Sequence, residues 1–315
     1  MAVLRQPLLL LARSQQVKNL VTTMPVSAGI VRSYVPGETT ESAVDATGEL
    51  VAEGLHVTLD HLGEDVTDVE QAEAGVAAYK AVLDALAARG LARRAEVSVK
   101  LSAVGQALPG SVAGGGHKIA LENAQAICRA ARNAGTSVTL DMEDHTTTDS
   151  TLAILRELRK DFPETGIAVQ AHLYRTEGDC RTLAHEGSRV RLCKGAYKEP
   201  EEVAFQDRLD VDRAFVRCLK ILLAGDGYPM VATHDPRMVE ITSSLVSRYG
   251  RTQGSYEFQM LYGIRPEEQR QLAGSGETVR VYLPYGQEWY GYLMRRLAER
   301  PQNLSVFLKS LVSKK

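Results

Sequence analysis

Eight short runs of β-type residues, separated by stretches with helical apolar spacing, constrain this 315-residue chain more than any other feature. The runs are Leu55–Leu59, Val97–Leu101, Val138–Leu140, Ile167–Gln170, Val190–Cys193, Met230–Ala232, Tyr256–Met260 and Val279–Leu283. One intervening segment places Val69, Val76, Tyr79, Val82, Leu83 and Leu86 at helical spacing and stops at Gly90. Another runs through Leu152, Leu155 and Leu158 before Pro163, with Asp149 as the expected N-cap. A third pairs Asp235 as N-cap with Pro236 at the first helical position. Alternating strand and helix implies parallel pairing through right-handed crossovers. Eight such units predict an α/β chain closed into a (β/α)8 barrel. An open doubly wound sheet is the alternative, but no G-x-G-x-x-G follows the first strand.

No linker rich in Pro, Ser or Gly divides the chain. Residues 1–54 read as an N-terminal helical segment packed on a barrel that occupies residues 55–315. Residues 1–37 contain no Asp or Glu but carry Arg5, Arg13, Lys18 and Arg32. Such a segment is either a targeting or membrane-touching stretch or the first helical layer of the fold, and its apolar spacing favours the layer. The stretch 109–116 lacks the phosphate-loop pattern G-x-x-x-x-G-K-[ST] and reads as a flexible surface loop. A net charge of -2 argues against nucleic acid as a partner. Four scattered cysteines without a C-x-x-C pair suggest reduced thiols and a cytoplasmic protein. The histidines show no close metal-ligand spacing, so no metal centre is expected.

In a barrel, chemistry gathers where the strands end. Asp60, His61 and Glu64 follow the first run, and Lys100 falls within the second. Asp141 and Glu143 end the third, while Gln170, His172 and Arg175 end the fourth. Arg191 and Lys194 mark the fifth, Thr233, His234 and Asp235 the sixth, Glu257 and Gln259 the seventh, and Tyr282 the eighth. Charged groups enter barrel strands only with partners, because their desolvation is expensive. Lys100, Arg191, Lys194, Arg295 and Arg296 face few acids, so the expected ligand is an anion. On a helix, neighbours diverge by about 100°, so Arg295 and Arg296 approach one anion from two sides, with Tyr292 one turn before them.

The residues also carry a family likeness. Ser98-Val99-Lys100-Leu101-Ser102, Leu140-Asp141-Met142-Glu143, Val169-Gln170-Ala171 and 191–197 (RLCKGAY) resemble the proline dehydrogenases, including the corresponding domain of the bifunctional proline utilisation A enzymes. Ala232-Thr233-His234, 256–261 (YEFQML), 282–286 (YLPYG) and 292–300 (YLMRRLAER) complete a resemblance that covers nearly all of residues 55–300. It implies a distorted TIM-like barrel with N-terminal helices, holding FAD without a Rossmann fingerprint. The implied reaction oxidises L-proline to 1-pyrroline-5-carboxylate, the first step of proline catabolism to glutamate, and passes electrons to a membrane quinone. Peripheral contact with the inner face of the cell membrane is expected for that reason. Pyrroline-5-carboxylate dehydrogenase is the expected downstream partner.

By the same resemblance, Arg295, Arg296 and Lys100 bind the proline carboxylate, and Tyr282, Tyr292 and Leu261 wall the ring. Arg191 lies near the reacting nitrogen of the flavin, and Asp141 is the active-site aspartate. Met142, Gln170, Lys194, Gly195, Ala196, Thr233 and His234 contact FAD, and Glu64 forms a gate ion pair with Arg295. Two departures stand out. Lys198 replaces the tryptophan common in bifunctional relatives, and His172 the usual tyrosine. Two other readings of the residues remain: a Schiff-base aldolase or isomerase using Lys100 or Lys194, and a non-catalytic carboxylate-binding protein.

Overall fold

The computed structural model describes residues 29, 31–63, 66–110, 115–185 and 187–299, with side chains as far as residue 296. The expectations for residues 1–28 and for Glu64 lie outside the described residues. Helix α1 (Thr40–Ala52) leads into strand β1 (His56–His61). There follow α2 (Val69–Ala88), β2 (Ala95–Val99), α3 (Gly115–Ala134), β3 (Val138–Leu140), α4 (Thr148–Asp161) and β4 (Gly166–Gln170). The second half continues with α5 (Thr176–Leu183), β5 (Arg189–Cys193), α6 (Arg208–Ala224), β6 (Tyr228–Ala232) and α7 (Pro236–Arg248). Strand β7 (Glu257–Leu261), α8 (Pro266–Gly274), β8 (Val279–Tyr285) and α9 (Trp289–Glu299) complete the described chain. The eight strands pair in parallel and in chain order, and β8 returns to β1 to close the barrel.

Local chemistry explains most element ends. Asp68 caps α2 by accepting a hydrogen bond from Gln71 N at 2.8 Å, and Gly90 takes the left-handed φ of +69° just beyond that helix. Asp235 caps α7 with Pro236 at its first position, as expected. Asp149 does not cap α4. Thr147 occupies that position, and Asp149 sits in the first turn, where it accepts from Arg175 Nη1 at 2.7 Å. The end of the glycine-rich stretch also departs from a flexible loop. Gly115 and Gly116 open α3, and a Cβ on Gly116 would lie 2.4 Å from the Gln106 carbonyl oxygen.

Strand residues alternate between two faces. One set, including Val57, Leu59, Val97, Val99, Val190, Leu192, Val281 and Leu283, is buried in a single core with apolar residues of α1 to α4 and α6. Fully burying each such side chain contributes about 1.5–3 kcal/mol. The opposite set faces the barrel axis and is mostly polar: Thr58 and Asp60, Glu96 and Ser98, Thr139 and Asp141, Arg189 and Arg191, Glu257 and Gln259, Arg280 and Tyr282, while β4 and β6 add the apolar Ala168 and Met230. Barrel interiors are usually filled by branched apolar side chains. Here hydrogen bonds and ion pairs fill that space instead.

Candidate active site

Lys100 follows β2 with an extended backbone, so it stays on the inward face with Glu96 and Ser98. Its ammonium lies 2.7 Å from Asp60 Oδ2, 3.1 Å from Asp141 Oδ2 and 3.1 Å from the Tyr282 hydroxyl. Tyr282 donates to Asp141 Oδ2 at 2.6 Å. The other Asp141 oxygen accepts from Arg191 Nη1 at 2.6 Å and from Ser98 Oγ at 2.7 Å. The structure therefore joins Lys100 and Asp141, just past β2 and β3, with Arg191 of β5 and Tyr282 of β8 into one network. Asp60 and Ser98 belong to it as well. Asp60 is a strand-end acid and Ser98 part of the family-like segment 98–102, and the sequence assigns a role to neither.

Burial alone would raise the Asp141 carboxyl, but Lys100 and Arg191, helped by Tyr282 and Ser98, outweigh it and hold it at about 2. Burial and the nearby Asp141 and Asp60 carboxylates push the Tyr282 phenol well above its usual range, so it stays a donor. Asp141 is thus a firmly charged anchor. The three donors of the Lys100 ammonium are matched by its three contacts, a setting unlike that of an exposed amine nucleophile.

The remaining expected residues ring this network. Gln170 donates to the Glu143 carbonyl oxygen at 2.6 Å, and Glu143 accepts from Ser102 N and Oγ at 3.0 and 2.5 Å. Met142 is buried in the main core. Lys194 pairs with Asp212 and, at 3.1 Å, with Asp235, while Arg237 bridges the same two acids. The sequence reading misses both: Asp212 lies on α6, 18 residues beyond Lys194, and Arg237 stands in the first turn of α7, just past the strand-end segment. Gly195 has φ +113°, and a Cβ there would strike the His172 ring at 2.3 Å. Glycine is required at that approach, and Ala196 beside it is exposed. Thr233 Oγ1 accepts from Asp235 N at 3.1 Å. His234 Nε2 accepts from Leu261 N at 2.8 Å, which ties the ends of β6 and β7 together.

Helix α9 covers one side of the mouth. Its Tyr292, Leu293 and Met294 share an apolar cluster with Leu62 beyond β1, Leu261 at the end of β7 and Ile264. Leu261 is also the register partner of Tyr282, so these two expected wall residues are neighbours on the β7–β8 edge, and Tyr292 reaches Leu261 from α9. Arg295 is exposed and Arg296 half-buried, with its guanidinium 5.4 Å from the centre of the Tyr292 ring. The adjacent arginines therefore occupy different environments.

Two observations bear on a bound cofactor. Arg191 is 3% exposed, and its Nη2 has no hydrogen-bond partner among the described residues. Glu96 Oε1 lies 3.8 Å from that nitrogen, beyond hydrogen-bond reach. Donors and cations from the ends of β4, β5 and β6 also gather beside it, a set suited to a planar, anionic group.

Comparison with known proteins identifies the family and the fold. The family model described as proline dehydrogenase matches residues 43–308. Proline dehydrogenase 1 of Bacillus subtilis is 37% identical over 312 residues, which cover 99% of this chain and 100% of the relative. Proline dehydrogenase of Deinococcus radiodurans is 37% identical over 310 residues, 98% of this chain and 97% of the relative. A crystal structure of proline utilization A (PutA) from Bdellovibrio bacteriovorus, inactivated by N-propargylglycine, shares the fold with a TM-score of 0.79 at 24% identity. That match covers 92% of this chain and 34% of the longer one. With a matching family model over most of its length and full-length relatives above a third identical, this chain belongs to the proline dehydrogenase family.

Proposed function

We propose that the chain oxidises L-proline to 1-pyrroline-5-carboxylate with FAD and passes the electrons to a membrane quinone. The carrying observation is the Lys100–Asp141–Arg191–Tyr282 network beside α9, in a chain of this family. Bound FAD supplies the acceptor for the hydride leaving the substrate ring. Gln170, Arg191, Lys194, Gly195, Ala196, Thr233 and His234, with Met142 below them, would hold it.

Arg295 and Arg296 bind the substrate carboxylate, and Lys100 adds positive charge from within the barrel. Tyr282, Tyr292 and Leu261 confine the apolar ring and keep water from it. Asp141 fixes Arg191, Lys100 and Tyr282 at once. Its depressed basicity suits positioning, so the substrate ammonium loses its proton to another group. Arg191 places fixed positive charge where negative charge develops during oxidation. Glu64 serves as the gate partner of Arg295. The aldolase reading is weakened by the two carboxylates that engage Lys100.

Among the described residues, no helix is long and apolar enough to cross a membrane, so quinone reduction calls for peripheral contact. Anaerobic addition of L-proline to the purified yellow holoenzyme tests the reading. Loss of the flavin's visible absorbance is expected, and an unbleached spectrum with proline and related imino acids would refute it.

A further inference from the structure

We infer that Gln259 is a positioning residue for the reaction, acting through Arg191 as a neutral hydrogen-bond acceptor. The inference rests on the proposed place of Arg191 beside the electron acceptor. Gln259 is 3% exposed and stands on the inward face of β7. Its Oε1 accepts from Arg191 Nε at 2.6 Å, and its Nε2 donates to Glu257 Oε1 at 2.5 Å. Because Glu257 can only accept, the amide is forced to turn its oxygen toward Arg191.

Glu257 is itself immobile. It is fully buried and accepts from Arg280 Nε at 2.7 Å, Arg280 Nη2 at 3.1 Å and the Tyr228 hydroxyl at 3.1 Å. Gln259 thus transmits the rigidity of the lower barrel to one edge of the Arg191 guanidinium, while Asp141 holds Nη1. With two edges fixed, Nη2 has one direction in which to point. A neutral acceptor also anchors Nε without adding a further carboxylate, so the positive charge that the reaction uses is retained.

The test is a pair of holoenzyme variants read by redox titration of the bound flavin without proline, and by steady-state kinetics. Gln259→Met keeps length and packing but offers no comparable acceptor. It should lower kcat and kcat/KM together by about tenfold with KM for proline unchanged. It should also disfavour flavin reduction by about tenfold, or about 30 mV for a two-electron couple. Gln259→Glu should rescue both readouts. Its carboxyl can accept from Arg191 Nε and share a proton with Glu257, since two carboxyls at that distance do not both ionise. A purely packing role predicts the reverse order, with Met tolerated and Glu impaired, and that result would overturn the inference. If Gln259→Met does not fold, Gln259→Glu decides alone: near-wild-type turnover and potential support the inference, and a tenfold loss overturns it. Arg191→Met separates the two layers. A lowered potential there with an unchanged one in Gln259→Met refutes the role of Gln259 alone. An unchanged potential in Arg191→Met removes the reading beneath it, and the inference with it.

Discussion

The lower and upper halves of the barrel interior use the same residue types to different ends. Below, Glu96 accepts from Thr58 at 2.9 Å, Thr139 at 3.1 Å, Ser137 at 3.2 Å and Arg189 at 2.7 Å. Glu257 is likewise filled by Arg280, Tyr228 and Gln259. A polar cavity of about 240 Å³, lined in part by Glu96, Ser137, Arg189 and Arg280, opens at this end. Above, Asp141 is equally saturated, but the network meets α9, whose Arg295 is exposed and whose Arg296 is half-buried against Tyr292. Buried charge therefore does not mark the active end by itself. What sets the upper network apart is its position at the strand C-termini, beside α9.

The sharpest way to break this contrast is Glu96→Leu. Removing the carboxylate strands Arg189 and weakens the hold on Arg280 and Arg191. Breaking a buried pair by deleting one partner costs about 3–5 kcal/mol. Urea unfolding should show that loss, while the folded fraction keeps its KM for proline. A large rise in KM with stability intact would mean that the lower half belongs to the binding site.

A smaller effect separates the halves by pH. The Asp141 carboxyl lies at about 2 in the folded protein against an ordinary 3.8, a depressed value. Its stabilisation is fully present above about pH 4 and is lost as pH falls toward 2. The shift corresponds to about 2 kcal/mol. Burial would raise Glu96, but Arg189, Arg280 and Arg191 pull it lower still than Asp141. On acidification the mouth should therefore lose its charge before the base. Wild type should unfold in urea with a clear advantage over Asp141→Asn at pH 6, and that gap should narrow by pH 3. A constant gap would show that the anchor does not depend on its charge.

Much of this arrangement could be read before the fold was known, because strand and helix periods are local. The eight strands, the stop at Gly90 and the Asp235–Pro236 start follow from residues within one element. Boundaries were less legible. Lys100 falls just beyond β2, and Asp149 lost the capping position to Thr147, since several polar residues there could cap equally well. At the site, Lys100, Asp141, Arg191 and Tyr282 were visible as polar residues near strand ends. The lower ladder was not, because the alternation that places Glu96 inward says nothing of its partner Arg189 across the barrel, 93 residues away. Register and closure make that pair, and neither is a local property.

The smallest expected effect concerns the two arginines, which the helix treats differently. Arg296 lies half-buried with its guanidinium over Tyr292, so less side-chain freedom is lost when it engages a carboxylate. Arg295 is exposed, so solvent screens its charge. A charged hydrogen bond formed by the pre-ordered group is worth about 1.5–3 kcal/mol, and one formed by a solvated group falls nearer 1. Arg296→Met should therefore raise KM for proline by tenfold or more (about 1.4 kcal/mol per tenfold), and Arg295→Met by about fivefold. Both should retain bound flavin and an unchanged midpoint potential, because Arg191 is held by Gln259, Ser98 and Asp141 inside the barrel. Equal effects would mean that substrate binding orders both side chains alike. A larger effect at Arg295 would mean that the exposed arginine closes over the ligand and becomes the more deeply buried of the two.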